Sequence, residues 1–177
     1  LRVPNGRLSA PNSVLVPDSP TRIAMAEPFG TPQTALFSLA RMRDDVRAVL
    51  GSAPLVHLVT VDPDGRPQVS LVWVGVDGDE IIVGHQAERR KVHNIRRDDR
   101  VALSMLAGSV DPRGLETYLV VHGRATVSEG GAPDVLRPLA KKYLGPDVVF
   151  PPGDNPPSGF VTRIKIERVT GIGPWAS

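Results

Sequence analysis

Residues 55–84 read Leu-Val-His-Leu-Val-Thr-Val, then Asp-Pro-Asp-Gly-Arg-Pro, then Gln-Val-Ser-Leu-Val-Trp-Val-Gly-Val, then Asp-Gly-Asp, then Glu-Ile-Ile-Val-Gly. Three runs rich in Val, Ile and Leu are parted by Pro-Asp-Gly and Asp-Gly, the chemistry of tight turns between strands. The spacing predicts a β-meander with strands over 55–61, 67–76 and 80–84. Further strands are expected over 101–106 and 117–127, with Gly108–Glu116 between them as a polar loop long enough to border a pocket. Phe160–Val169 alternates with period two, as a final strand should. Leu36, Leu39, Arg43, Val46 and Leu50 share one helical stripe, and Gly51 stands at its stop. A second helix is expected over Ala132–Leu144, with Val135, Leu136, Leu139, Ala140 and Tyr143 inward. About six antiparallel strands with two or three peripheral helices suit a small closed barrel, a mainly β (α+β) fold.

Bulk properties narrow the function. With 177 residues and 41% hydrophobic content, the chain suits one domain with a substantial core. The 18 prolines gather before residue 33 and between 145 and 157. Residues 1–32 are therefore expected to be a disordered leader or a segment foreign to the native chain, and 33–177 a single domain. A net charge of +2 and only 5% aromatic residues argue against a nucleic-acid partner, which needs a basic surface interleaved with stacking rings. The absence of cysteine excludes disulfides, thiolate catalysis and cysteine-ligated metals. His57, His85, His93 and His122 have no metal-ligand spacing, so no metal is expected. No apolar run approaches the ~20 residues needed to span a bilayer, and no secretory signal is visible, so the expected location is cytoplasmic.

The most informative chemistry follows the third run. Gly84-His85-Gln86 leads into Arg89-Arg90-Lys91, which opens a short helix ending at Asp98-Asp99. A solvated helix more naturally opens with acids, because the macrodipole disfavours positive charge at its N-terminus. Cations there suit a bound phosphate, which can also reach free backbone N–H groups. From the charges alone, an exposed basic helix fits as well.

The order of elements resembles the flavin/deazaflavin oxidoreductases of the pyridoxamine 5′-phosphate oxidase-like split β-barrel superfamily. It is most similar to the actinobacterial branch that uses coenzyme F420. The resemblance covers roughly residues 36–172. It rests on Gly65-Arg66-Pro67-Gln68-Val69-Ser70, on Arg89-Arg90-Lys91-Val92-His93-Asn94-Ile95 and on Tyr118-Leu119-Val120-Val121-His122-Gly123-Arg124-Ala125.

The resemblance implies an FMN-binding split β-barrel that forms a homodimer, with cofactor in the groove between the two barrels. Arg89 and Lys91 match the Arg-x-Lys pair that grips the cofactor phosphate, with Arg90 facing elsewhere. Gln68, Val69 and Ser70 match residues lining the isoalloxazine-like ring, although Gln68 also reads as an outward strand residue. Gly84, His85 and Gln86 fall where the linker between phosphate and ring should run. Trp73 is a candidate to cap ring or substrate, and reads equally as a core or dimer residue; His122 and Trp175 stand behind it. Asn94 matches a structural position. The implied cofactor is coenzyme F420, with FMN the alternative, and the implied activity is hydride transfer from reduced F420 to a small unsaturated substrate. No residue stands out as a proton donor. An FMN-dependent oxidase or reductase and a non-catalytic flavin or haem carrier share the fold.

Overall fold

The computed structural model describes residues 41–52 and 54–176, so the expected leader over 1–32 and the first part of the Leu36–Leu50 stripe lie outside the described residues. Seven antiparallel strands form one sheet: β1 (Val56–Val61), β2 (Pro67–Val72), β3 (Gly75–Asp77), β4 (Glu80–His85), β5 (Arg100–Val110), β6 (Glu116–Glu129) and β7 (Phe160–Ile172). Their spatial order is β2-β1-β5-β6-β7-β4-β3. The helices are α1 (Asp44–Gly51), α2 (Arg90–Arg97) and α3 (Ala132–Leu144).

That order corrects the expected meander. β1 pairs with β2 and β3 with β4, yet β2 and β3 sit at opposite ends of the strand order with only Trp73 and Val74 between them. Laid flat, the outer strands of such a sheet would stand about 29 Å apart at ~4.8 Å per neighbour. Three Cα steps reach only about 10–11 Å. The sheet must therefore curl until its two ends meet, so the run 67–76 is two strands joined at a corner.

The corner is held from outside by α3. The Tyr143 hydroxyl accepts a hydrogen bond from the Val74 N–H (3.1 Å) and donates one to the Pro54 carbonyl (2.9 Å). Its ring stacks on Trp73, with centroids 5.4 Å apart.

Alternation along the strands fills the barrel with its own side chains. Val56 and Leu58 from β1, Ile81 and Val83 from β4, Leu103 from β5, Leu119 and Val121 from β6 and Ile164 from β7 are all buried. A β-bulge between His122 and Gly123 shifts the β6–β7 register, and a Cβ at Gly123 would stand 2.2 Å from the Lys165 carbonyl oxygen. Trp175 docks after the last strand, buried, with its indole N–H donating to the Tyr118 carbonyl at 3.0 Å.

Two further expectations are revised. Helix α1 begins only at Asp44, because the Met42 N–H is tied to the Asp79 carboxylate (2.8 Å) and the Asp45 carboxylate accepts from the Val46 N–H (2.8 Å). Arg43 therefore stands at the N-cap, half-exposed and paired with Asp45, instead of lying on a buried stripe. The loop expected over Gly108–Glu116 shrinks to a hairpin tip, since β5 and β6 pair out to Val110 and Glu116. The Asp111 carboxylate closes the tip by accepting from the Arg113 and Leu115 N–H groups, both at 2.9 Å.

Helix α3 lies against β4 at Gly84, where a Cβ would stand 2.8 Å from Leu136 Cγ. The missing side chain is what admits Leu136. Gly84→Ala should cost about 1–3 kcal/mol through overpacking. Combined with Leu136→Ala, which alone should cost ~2–5 kcal/mol, the total should fall below the sum of the single effects, as measured by denaturant unfolding.

Candidate functional site

With the interior packed, the space for a ligand lies outside the barrel. A cleft of about 480 Å³ opens between the end of β4, the start of α2, the β2–β3 corner and α3. One wall is apolar: Leu55, Leu71, Trp73, Leu136 and Phe150. Trp73 is fixed there by its stack on Tyr143 and an edge contact with Phe150, both at 5.4 Å. The other wall carries His85, Gln86, Arg89 and Lys91.

The charges of α2 fall into two groups. Arg90 forks onto Asp62, Nε to Oδ1 and Nη2 to Oδ2, both at 2.8 Å. Arg96 pairs with Glu88 and with Glu129 (2.9 Å), and its guanidinium lies 5.3 Å from the centre of the Phe160 ring. Arg97 donates to the Val61 carbonyl. At the helix end Asp98 is taken by Arg100 (2.6 Å) and Asp99 by Arg124 (2.7 Å). The Arg89 and Lys91 side chains have no hydrogen-bond or ion-pair partner among the described residues, and both residues line the cleft. Lys91 is half-buried, and burial, reinforced by the Arg89 charge, lowers its ammonium pKa. A half-buried lysine next to an exposed arginine, with no counter-ion among the described residues and beside the N–H groups that a helix leaves free, is a place where an anion binds favourably.

His85 continues the inward phase of Ile81 and Val83 and ends buried, its Nε2 2.9 Å from Thr162 Oγ1. Burial, helped by the Lys91 charge, pushes its pKa down to about 4, so the ring is neutral at pH 7. It meets the cleft as a neutral polar group, unable to act as a third cation.

Six of the nine residues expected from the sequence, Trp73, Gly84, His85, Gln86, Arg89 and Lys91, thus line one cleft. Gln68, Val69 and Ser70 lie on β2, outside its lining. The Gln68 amide oxygen accepts from Thr60 (3.0 Å), and its NH₂ donates to the Val69 carbonyl (2.8 Å) and to Ser70 (2.9 Å). The Val69 side chain is exposed. Asn94 is buried and structural, as the resemblance implied, donating to Thr60 and Asp62. Sequence reasoning missed Leu55, Leu71, Leu136 and Phe150, which come from four separated segments, and it missed Asp62. An aspartate before Pro63 reads as a turn residue, and nothing local shows its carboxylate turning inward.

The chain is thus a closed barrel with an external cleft, one wall carrying polar and cationic groups and the other apolar with two aromatic rings. The chain belongs to the pyridoxamine 5′-phosphate oxidase family, whose sequence model matches residues 42–173. Among solved structures it is similar to an F420 reductase, with 28% identity, a TM-score of 0.57, and coverage of 70% of this chain and 94% of that one. It shares the fold of an FMN-binding protein from Syntrophomonas wolfei (12% identity, TM-score 0.54, 73% and 85% covered). It also shares that of a haem-binding protein from Mycobacterium smegmatis (19% identity, TM-score 0.55, 75% and 54% covered). No curated protein matches the chain. Among the described residues no helix is long and apolar enough to cross a membrane, and no cluster of side chains is arranged to hold a metal ion.

The low pKa of His85 makes a prediction about stability. The unfolded ring takes a proton near pH 6.5 and the folded one only near 4. Between those values the unfolded state binds more protons, so stability falls as pH drops through the window, by roughly 3 kcal/mol at most. His122, lowered by burial and by Arg168, acts in the same direction. Denaturant unfolding between pH 7 and 5 should show a shallower decline for His85→Asn than for the parent.

Proposed function

We propose that this protein is a coenzyme F420-dependent reductase, a homodimer that passes hydride from the reduced deazaflavin to a small unsaturated substrate. The observation that carries the reading is the cation pair Arg89 and Lys91, left without counter-charge at the mouth of a cleft with an aromatic wall. Arg offers a two-pronged hydrogen bond and Lys a mobile point charge, which together suit a tetrahedral phosphate diester. The apolar wall of Leu71, Trp73 and Phe150 suits a planar ring. The 28% identity with an F420 reductase supports the deazaflavin over FMN.

When bound, the reduced deazaflavin supplies the hydride. This chain's part is to hold the phosphate with Arg89 and Lys91, to set the ring against the apolar wall and to keep water away. His85 is neutral and bonded to Thr162, which suits it to orient a polar group of the ligand more than to donate a proton. The product is then protonated from solvent. Gln68, Val69 and Ser70 enter as contacts from β2 across the dimer groove, Gly84 and Gln86 as neighbours of the linker. The reading carries with it a cytoplasmic location, where the reduced cofactor is regenerated.

Support for a dimer comes from the sheet itself. Register places Val59, Val69, Leu71, Leu106 and Tyr118 on the outer face of β1, β2, β5 and β6. Val69, Leu71, Leu106 and Tyr118 are all exposed there, an apolar surface that a second copy would cover. Leu71 belongs both to that face and to the cleft wall, so the same association would close the site. Sedimentation at micromolar concentration should give a dimer; a monomer that still binds cofactor would count against it.

The direct test is titration with F420 and with FMN, followed by fluorescence. A charge-assisted bond to phosphate is worth about 1.5–3 kcal/mol, so Lys91→Ala or Arg89→Ala should weaken F420 binding by about ten- to a hundredfold. Parent-like binding by both variants would place the phosphate elsewhere, and tighter binding of FMN than of F420 would make FMN the cofactor.

A further inference from the structure

Beside the cleft lies a buried polar cluster, none of whose residues lines it. Asp62, Thr60 and Asn94 are 7%, 0% and 3% exposed, where polar groups persist only if every one is bonded. The bonds form a continuous chain. Arg90 Nε and Nη2 donate to the two Asp62 oxygens, and Asn94 Nδ2 donates to Asp62 Oδ1 (2.8 Å) and Thr60 Oγ1 (3.0 Å). Thr60 donates to Gln68 Oε1 (3.0 Å), and Gln68 Nε2 donates to Ser70 (2.9 Å). The Arg90, Asn94, Thr60 and Gln68 donors in it all have acceptors, and the Asp62 carboxylate accepts from two of those four residues. No buried side-chain nitrogen or oxygen among the described residues is left unpartnered.

Asp62 sits at the tip of β1, its backbone fixed by the Asp62 N–H to Arg66 carbonyl bond of 2.8 Å. It holds α2 at Arg90 and Asn94, one turn apart on a single helix face, and Arg97 adds a third bond from that face to the Val61 carbonyl. Lys91 follows Arg90 by one helical step of about 100°, and Arg89 is the N-cap joined directly to it, with extended backbone. Fixing Arg90 toward β1 therefore fixes where Arg89 and Lys91 can point.

We propose that Asp62 is a positioning residue for anion binding: by gripping Arg90 and Asn94 it locks the rotation of α2 that turns Arg89 and Lys91 into the cleft. The inference rests on the reading of that pair as the phosphate grip. It makes a prediction opposite in sign to simple electrostatics. Removing a negative charge near an anion site should tighten binding by Coulomb attraction alone, whereas loss of positioning should weaken it.

The experiment compares dissociation constants of the full chain for FMN against riboflavin, and for F420 against its phosphate-free ribityl deazaflavin. The ratio within each pair isolates the phosphate. The parent should favour the phosphate-bearing ligand, and Lys91→Ala should remove most of that preference. Asp62→Asn should reduce it about tenfold or more while binding of the phosphate-free ring stays unchanged, and Asp62→Glu should recover part of it. If Lys91→Ala removes the preference but Asp62→Asn leaves it intact or raises it, the positioning role is overturned and the phosphate grip stands. If the parent shows no preference, or keeps it in Lys91→Ala, the grip and the inference built on it both fall. Should Asp62→Asn not fold, Arg90→Met is compared with Arg96→Met, which removes an equal charge from the same helix. A clearly larger loss for Arg90→Met supports positioning, and equal losses overturn it.

Discussion

Two residues, Trp73 and Val74, connect strands at opposite ends of a seven-stranded order, and that short connection forces the sheet to close. Closure has a cost to function: a barrel of this size packs its own interior, so no ligand fits inside. It also has a use. The corner brings Trp73 to the outer surface, where Tyr143 and Phe150 hold its ring as one wall of the cleft. α3 is needed for this twice over, because Tyr143 also bonds the backbone at Val74 and Pro54. The glycine at position 84 is what lets that helix approach β4 closely enough to do so. Fold and site thus share one constraint.

The second organising principle is how charge is distributed along α2. Burial of an unpaired cation is expensive, and a protein ordinarily avoids it by pairing or exposure. Here Arg90, Arg96 and Arg97 follow the rule, while Lys91 stays half-buried with no acid beside it and with Arg89 as neighbour. The pairing of the rest is informative too. Arg96, Arg97 and Arg100 all have local partners, so they are poorly placed to serve as a loose basic surface for a polyanionic tail or nucleic acid. On the proposed reading, selectivity for an anion would be confined to one side of one helix.

Much of this was legible in the sequence, and the exceptions share a physical cause. Strand positions followed from alternation and turn chemistry, and α3 was located to the residue because its apolar stripe is bounded by Gly131 and Gly145. Arg89 and Lys91 were legible as cations opening a helix just past a strand, whereas His85 and Trp73 came from the resemblance, Trp73 standing inside the single strand expected over 67–76. What local pattern could not show was pairing between distant segments. The run 67–76 reads as one strand because nothing in Val-Trp-Val marks a corner; only the pairing of its two halves with different partners divides it. The Leu36–Leu50 stripe is interrupted at Arg43, the N-cap of α1, and the Met42 bond to Asp79 beside it spans 37 positions. Asp62 was invisible as an anchor because its two partners lie 28 and 32 residues away.

The cleft has an apolar wall that is itself partly open. Leu55 and Leu71 line it, yet they are 59% and 58% exposed. A site built to shield a reactive ring from water would be a poor one if its wall stayed wet. Leu71 shares its face of β2 with Val69, and that face continues across β1 and β5 to Leu106 and Tyr118. Covering this surface buries apolar area and completes the wall in a single step. Association of two copies and formation of a dry site would then be the same event. On the proposed reading, a single chain would hold the anion through Arg89 and Lys91, and a dimer would create the enclosed space in which the ring is protected.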